Sequence, residues 1–283
     1  MKFLTIRREE QMPKYGMGTW FLGEKRAAKQ QEIEAIRAGI DAGIQLIDTA
    51  EMYGDGLTEA LIGEAIQGYD REKLFLVSKV YPHNAGKNRM RKSLMDTLDR
   101  LQTDYLDLYL IHWRGRIPLK ESVECLEELV KEGLIKNWGV SNFDVDDMEE
   151  LIRVPNGKNC CVNQVLYHLG SRGIEYDLMP WLEKHDIPIM AYCPMAQGGA
   201  LKSSLLRNST VIEVARKYKI APVELLLAFT MQKENVIPIP RSGKKEHVLS
   251  NLKASQVILA EEDLKALDRA FPAPNRKVYL DIV

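Results

Sequence analysis

Asp48, Tyr53, Lys79 and His112 are of types that together suggest one piece of chemistry. A buried lysine needs a carboxylate, and Asp48 can supply one. Tyr53 follows in the segment Glu51-Met52-Tyr53-Gly54. Beside a lysine ammonium the phenol pKa of about 10 should fall, because the cation favours the phenolate. Such a phenol is a competent general acid, a role worth about 10²–10⁴ in rate. His112 can donate a hydrogen bond to a carbonyl oxygen and fix its pose. The group suits protonating an oxygen while electrons arrive at the carbon that bears it. It lacks a nucleophile poised by a base, so acyl transfer fits poorly. The histidines His83, His112, His168, His185 and His247 show no metal-ligand spacing, so no metal site is expected.

These residues need elements to bring them together, and the chain supplies a repeating pattern. Apolar runs of strand length alternate with amphipathic helical stretches. Strands are expected at Ile44–Ile47, Leu74–Val77, Leu106–Ile111, Ile135–Val140, Cys161–Gln164, Ile187–Tyr192 and Val236–Ile239, with a weaker one at Tyr15–Trp20. Helices are expected at Gln30–Ala42, Thr58–Gln67, Lys87–Leu101, Ser122–Glu132, Val145–Arg153, Asp177–Lys184, Val211–Tyr218, Pro222–Gln232 and Glu261–Ala270. Strands separated by helices imply parallel pairing through crossovers. Eight such units match the size of a (β/α)8 barrel, here with an additional C-terminal helix. An open doubly wound sheet is the rival, but no Gly-x-Gly-x-x-Gly follows the first strand. The strands close on polar residues: Asp48, Lys79, His112, Asn142, Gln164, Tyr192 and Arg241. In a parallel barrel these converge on the C-terminal rim, where active sites of this fold lie. Singly, each has a plainer reading as a cap, a turn residue or a structural ion pair.

Composition sets the outer bounds. The 283 residues carry 39 Lys+Arg against 40 Asp+Glu, a net charge of −1. That balance gives no electrostatic case for nucleic acid or an anionic membrane. No stretch approaches the ~18 apolar residues of a membrane span, and the start lacks a signal-peptide core. Four cysteines (Cys125, Cys160, Cys161 and Cys193) form no disulfide framework, which suggests the cytoplasm. No linker marks a boundary, so residues 1–283 are expected to form one barrel domain.

Seven motifs in order resemble the aldo-keto reductase family over almost the whole chain. They are Gly16-Met17-Gly18-Thr19-Trp20, Ile47-Asp48-Thr49-Ala50-Glu51-Met52-Tyr53-Gly54, Val77-Ser78-Lys79-Val80, Leu108-Tyr109-Leu110-Ile111-His112-Trp113, Gly139-Val140-Ser141-Asn142-Phe143 and Ala191-Tyr192-Cys193-Pro194-Met195; Ile237-Pro238-Ile239-Pro240-Arg241-Ser242 closes the series. The resemblance implies a barrel that binds a nicotinamide cofactor, with Asp48, Tyr53, Lys79 and His112 as catalytic tetrad. It implies carbonyl reduction: hydride to the carbon, a proton from Tyr53 to the oxygen. By analogy Ser141, Asn142 and Gln164 would hydrogen-bond the carboxamide and Tyr192 would stack on the nicotinamide. Thr19 and Trp20 would border cofactor and substrate, and Cys193 onward, with Met195, would cover the pyrophosphate. Arg241 and Ser242, with Lys244 or Lys245, would meet a 2′-phosphate, and Asn251 would lie near adenine. NADPH is expected over NADH, the substrate is expected to be a small-molecule carbonyl compound, and the family implies a monomer.

Three departures shape the substrate and cofactor expectations. Arg114 follows Trp113 where the family often has Pro, which puts a charge near the mouth. His247 stands where Arg is common, weakening the 2′-phosphate grip. The segment after Ala270 is short and suggests an open pocket, bordered by Trp20, Tyr81 and Trp113 and accepting aromatic or apolar aldehydes. Two other classes compete: a Schiff-base aldolase using Lys79, and a cofactor-holding barrel that senses redox state without turnover.

Overall fold

The structure, a computed structural model, describes residues 2–283. It opens with an antiparallel hairpin of β1 (Phe3–Thr5) and β2 (Gln11–Pro13). There follow β3 (Gly16–Gly18), α1 (Lys29–Asp41), β4 (Leu46–Asp48), α2 (Leu57–Ala65), β5 (Phe75–Val80), α3 (Met90–Leu101), β6 (Leu106–Ile111) and α4 (Leu119–Lys131). The second half holds β7 (Ile135–Ser141), α5 (Val145–Arg153), β8 (Asn163–Leu166), α6 (Leu178–Lys184), β9 (Ile189–Tyr192) and α7 (Ala200–Arg207). It ends with α8 (Ser209–Lys217), α9 (Pro222–Met231), β10 (Val236–Pro238), α10 (Lys245–Ala254) and α11 (Glu261–Ala270).

Strands β3 to β10 pair in sequence order, every pair parallel. The ring closes where Gly18 bridges Arg241 and its N–H donates to the Pro240 carbonyl at 3.1 Å. Glycine is required there, since a Cβ on Gly18 would sit 2.7 Å from the Ile239 carbonyl oxygen. The result is the (β/α)8 barrel.

Side-chain parity explains both cores and the placement of the polar strand ends. Residues two apart share a strand face. Leu46, Val77, Leu108, Leu110, Met190 and Ile237 point inward and pack with Ile6 and Met12 of the hairpin segment. Their neighbours Ile47, Leu76, Tyr109, Ile111, Ile189 and Val236 point outward into the larger core under the helices. Extending the inward series by two residues reaches Asp48 after Leu46, Lys79 after Val77 and His112 after Leu110. The polar residues thus cap the barrel interior at its C-terminal end, while the hairpin fills the opposite end.

Local sequence sets the helix ends. Asp144 caps α5 in a reciprocal box with Asp147, and Asp177 caps α6. Pro222 opens α9, and Gly133 at φ +75° follows α4. The expected strands and helices are present, with ends displaced by a few residues. The hairpin β1–β2 and helices α7 and α10 had no counterpart in the sequence reading. Among the described residues no helix is long and apolar enough to cross a membrane.

Candidate active site

The floor of the site is a buried ion pair. Lys79, fully buried on β5, places Nζ 2.8 Å from Asp48 Oδ2. The same ammonium donates to the Thr49 carbonyl at 2.8 Å and to the Tyr53 hydroxyl at 3.0 Å. Three oxygen acceptors around one ammonium satisfy all its donors. Gln164 Nε2 donates to the other Asp48 oxygen at 2.8 Å, so the carboxylate is held from both sides. Thr19 Oγ1 donates to the Asp48 carbonyl at 2.8 Å.

Tyr53 reaches this pair because the chain turns tightly after β4. Gly54, Asp55 and Gly56 all hold positive φ, a run that glycine makes accessible. The Tyr53 ring meets the His112 imidazole edge-on at 5.9 Å and lies 6.2 Å from Trp20. Burial raises the Tyr53 pKa well above that of a free phenol, and the Asp48 charge adds to the rise. This corrects the expectation of a lowered pKa: Asp48 offsets the Lys79 cation, and burial penalises the phenolate. Tyr53 therefore carries its proton throughout the neutral range. Burial, then the Lys79 charge, lowers the His112 pKa to about 3, so the imidazole is neutral. Its Nδ1 is buried without a hydrogen-bond partner.

Above this floor lies a cavity of about 310 Å³. Asp48, Tyr53 and His112 line it with Thr19 and Trp20. Ser141, Asn142, Gln164, Tyr192, Cys193, Met195 and Arg241 line it too. Asn142 stands at φ +57°, a conformation asparagine tolerates. Its Nδ2 donates to the His112 carbonyl at 3.1 Å, and its Oδ1 accepts from the Tyr192 hydroxyl at 2.8 Å. Ser141 Oγ donates to the Gln164 carbonyl at 2.8 Å. Arg241 Nε donates to the Trp20 carbonyl at 3.0 Å and makes no ion pair among the described residues.

Other sequence candidates lie outside the cavity wall. Lys79 sits beneath it. Trp113 and Tyr81 meet edge-on at 6.1 Å, with Trp113 packed 4.8 Å from His112. Ser242 accepts from the Lys244 N–H at 3.2 Å, and Asn251 is buried on α10. Arg114 is turned away to Glu150 at 3.0 Å, so the expected charge at the mouth is spent on α5. The cavity also uses residues given no individual role in the sequence analysis: Phe21, Met52, Gln197, Lys202 and Val283. Phe21 stacks on Trp20 at 4.4 Å, a neighbour that adjacency alone signals. The expected open mouth is narrowed, since Lys277 bridges Asp144 at 3.1 Å and Asp177 at 2.9 Å and the segment beyond it brings Val283 to the cavity.

Among the described residues no group of three or more His, Cys, Asp and Glu could hold a metal ion. The model of the Aldo/keto reductase family matches residues 14–271. The chain is 47% identical over 282 residues to "Methylglyoxal reductase YeaE" of Escherichia coli (strain K12), covering 100% of this chain and 99% of that protein. Its fold is similar to an aldo/keto reductase from Klebsiella pneumoniae solved in complex with NADP and acetate, with TM-score 0.96, 50% identity, and coverage of 100% and 99%. A structure from the same organism in complex with NADPH matches equally, at TM-score 0.96 and 50% identity over 100% and 99% of the chains.

Proposed function

The chain belongs to the aldo/keto reductase family, and from that premise we propose that it reduces small aldehydes and 2-oxoaldehydes with NADPH, using Tyr53 as general acid. The cavity's chemistry suits such a dinucleotide. It offers a half-buried Tyr192 ring, the amides of Asn142 and Gln164, and the cations Lys202 and Arg241, neither in an ion pair among the described residues. Ser141, Asn142 and Gln164 would hold the carboxamide, Tyr192 the ring face, and Arg241, with Ser242 close in sequence, a 2′-phosphate. When bound, the reduced cofactor supplies the hydride that makes a carbonyl an alcohol.

The chain's own part is orientation and a proton. His112, neutral and able to donate one N–H, orients the carbonyl oxygen. Tyr53 gives its proton to that oxygen. As negative charge grows on the phenol, the Lys79 hydrogen bond stabilises it without rearrangement. Asp48 and the Thr49 carbonyl hold Lys79 in place. Burial pulls the lysine pKa down, and the Asp48 charge and hydrogen bond oppose that pull. The same contacts disfavour the aldolase reading, because a Schiff base needs a free amine and Lys79 Nζ is fully occupied. Trp20, Phe21 and Met52 form an apolar wall suited to short or aromatic aldehydes.

The observation that carries the reading is Tyr53 hydrogen-bonded to the Asp48–Lys79 pair on the cavity wall. The test is NADPH oxidation with methylglyoxal, followed by absorbance, for the native protein and Tyr53→Phe. The variant should lose about 10²–10⁴ in kcat. Its NADP⁺ affinity, read by tryptophan fluorescence, should change less than about twofold, since the phenol oxygen is not a cofactor anchor. Undiminished turnover in the variant overturns the role of Tyr53. A stronger response to NADH than to NADPH overturns the cofactor preference.

A further inference from the structure

His168 is fully buried in the tight turn that follows β8, outside the catalytic set. The backbone N–H of Gly170 donates to its Nδ1 at 3.0 Å. A backbone amide can only donate, so Nδ1 carries no proton. In a neutral imidazole the proton then sits on Nε2. Nε2 lies 3.1 Å from Oε1 of Gln197. A donor there requires an acceptor opposite, which fixes the Gln197 amide with its oxygen on His168. The Gln197 NH₂ finds no acceptor among the described residues, although the side chain lines the cavity. Lys202, also on the cavity wall, makes neither a hydrogen bond nor an ion pair there. Two unpaired donor groups lining one ligand cavity call for an acceptor-rich, negatively charged ligand group. Burial keeps the imidazole neutral, and Lys202 pushes the same way against Gln197 and Asp281.

We propose that His168 is a positioning residue for cofactor binding: its Nε2–H locks the Gln197 amide so that the NH₂, with the Lys202 ammonium, grips the diphosphate of NADP(H). This rests on the cofactor reading above. The turn His168–Ser171 thereby sets the donor pattern of a loop 29 residues away in sequence.

The test is the NADP⁺ dissociation constant by calorimetry, with thermal melting as a check on folding. Gln197→Leu should weaken NADP⁺ about tenfold, the loss of one hydrogen bond to a charged group. His168→Asn keeps an acceptor for Gly170 but cannot reach Gln197, and should weaken binding by a similar factor. His168→Gln keeps a donor at the Nε2 position and should restore most of the affinity. The double variant His168→Asn/Gln197→Leu should bind no worse than Gln197→Leu alone. Lys202→Met, at a half-exposed position, should weaken NADP⁺ and flatten the salt dependence of binding. Multiplying effects in the double variant overturn the positioning role, as does equal loss in His168→Gln and His168→Asn. Native affinity in Gln197→Leu and Lys202→Met overturns the diphosphate grip while leaving the cofactor reading intact. No binding of NADP⁺ by the native protein overturns both.

Discussion

His112 stays neutral because burial, aided by the Lys79 charge, lowers its pKa to about 3. In the unfolded chain it titrates near 6.5. Between those values the unfolded state binds the extra proton, so stability rises with pH there. The contribution is complete above about 6.5 and is lost as pH falls towards 3. His112→Phe removes it, so urea unfolding should weaken by about 2 kcal/mol less in the variant than in the native protein from pH 7 to pH 5. Equal pH slopes would show that the imidazole is not held neutral. The residue types of this site were legible in sequence, and so was the Asp48–Lys79 pairing. The direction of the Tyr53 pKa was not, because it depends on how deeply the phenol is buried and on Asp48 lying close enough to offset the lysine. Phe21 and Lys202 were missed for another reason: a single aromatic in a turn and a lysine on a short, exposed helix carry no spacing signal of their own.

At the level of elements, α2 and α3 meet through Gly63. A Cβ there would lie 2.3 Å from the Arg100 carbonyl oxygen, against backbone that cannot rotate away. Gly63→Ala gains about 1 kcal/mol of helix propensity, yet overpacking costs about 1–3 kcal/mol. The urea midpoint should therefore fall; an unchanged or higher midpoint would show that the helices can separate freely. Helix α5 was legible to the residue because Asp144 and Asp147 announce its start and its apolar stripe is clean. Helix α7 was not, since it follows Gly198-Gly199 and buries only Leu205. In α10 the buried positions are Val248, Asn251 and Ala254, too few and too polar for a stripe. The hairpin hid behind Arg7, Arg8 and Glu9, charged residues in a turn where Arg8 and Glu9 take positive φ without glycine.

Across the whole molecule, the two ends of the barrel do separate work. Met12 of the hairpin segment is fully buried and packs with the inward residues of the strands. The polar group stands at the other end. Met12→Ala should cost about 2–5 kcal/mol of unfolding free energy while kcat and the KM for NADPH stay unchanged. A comparable fall in kcat would mean that strain passes along the barrel axis. The barrel itself was legible from β/α alternation, whereas closure at Gly18 and Arg241 is a long-range contact that no local pattern announces. The thiols divide in the same way. Cys125, Cys160 and Cys161 are buried in the packed layers, and Cys193 is half-exposed on the cavity wall. Burial pushes the Cys193 thiol up to about 11, so alkylation should be slow at neutral pH and quicken in alkali. One thiol per chain should then react with iodoacetamide, and the rate at which it does so is a meter of whether the cavity is filled.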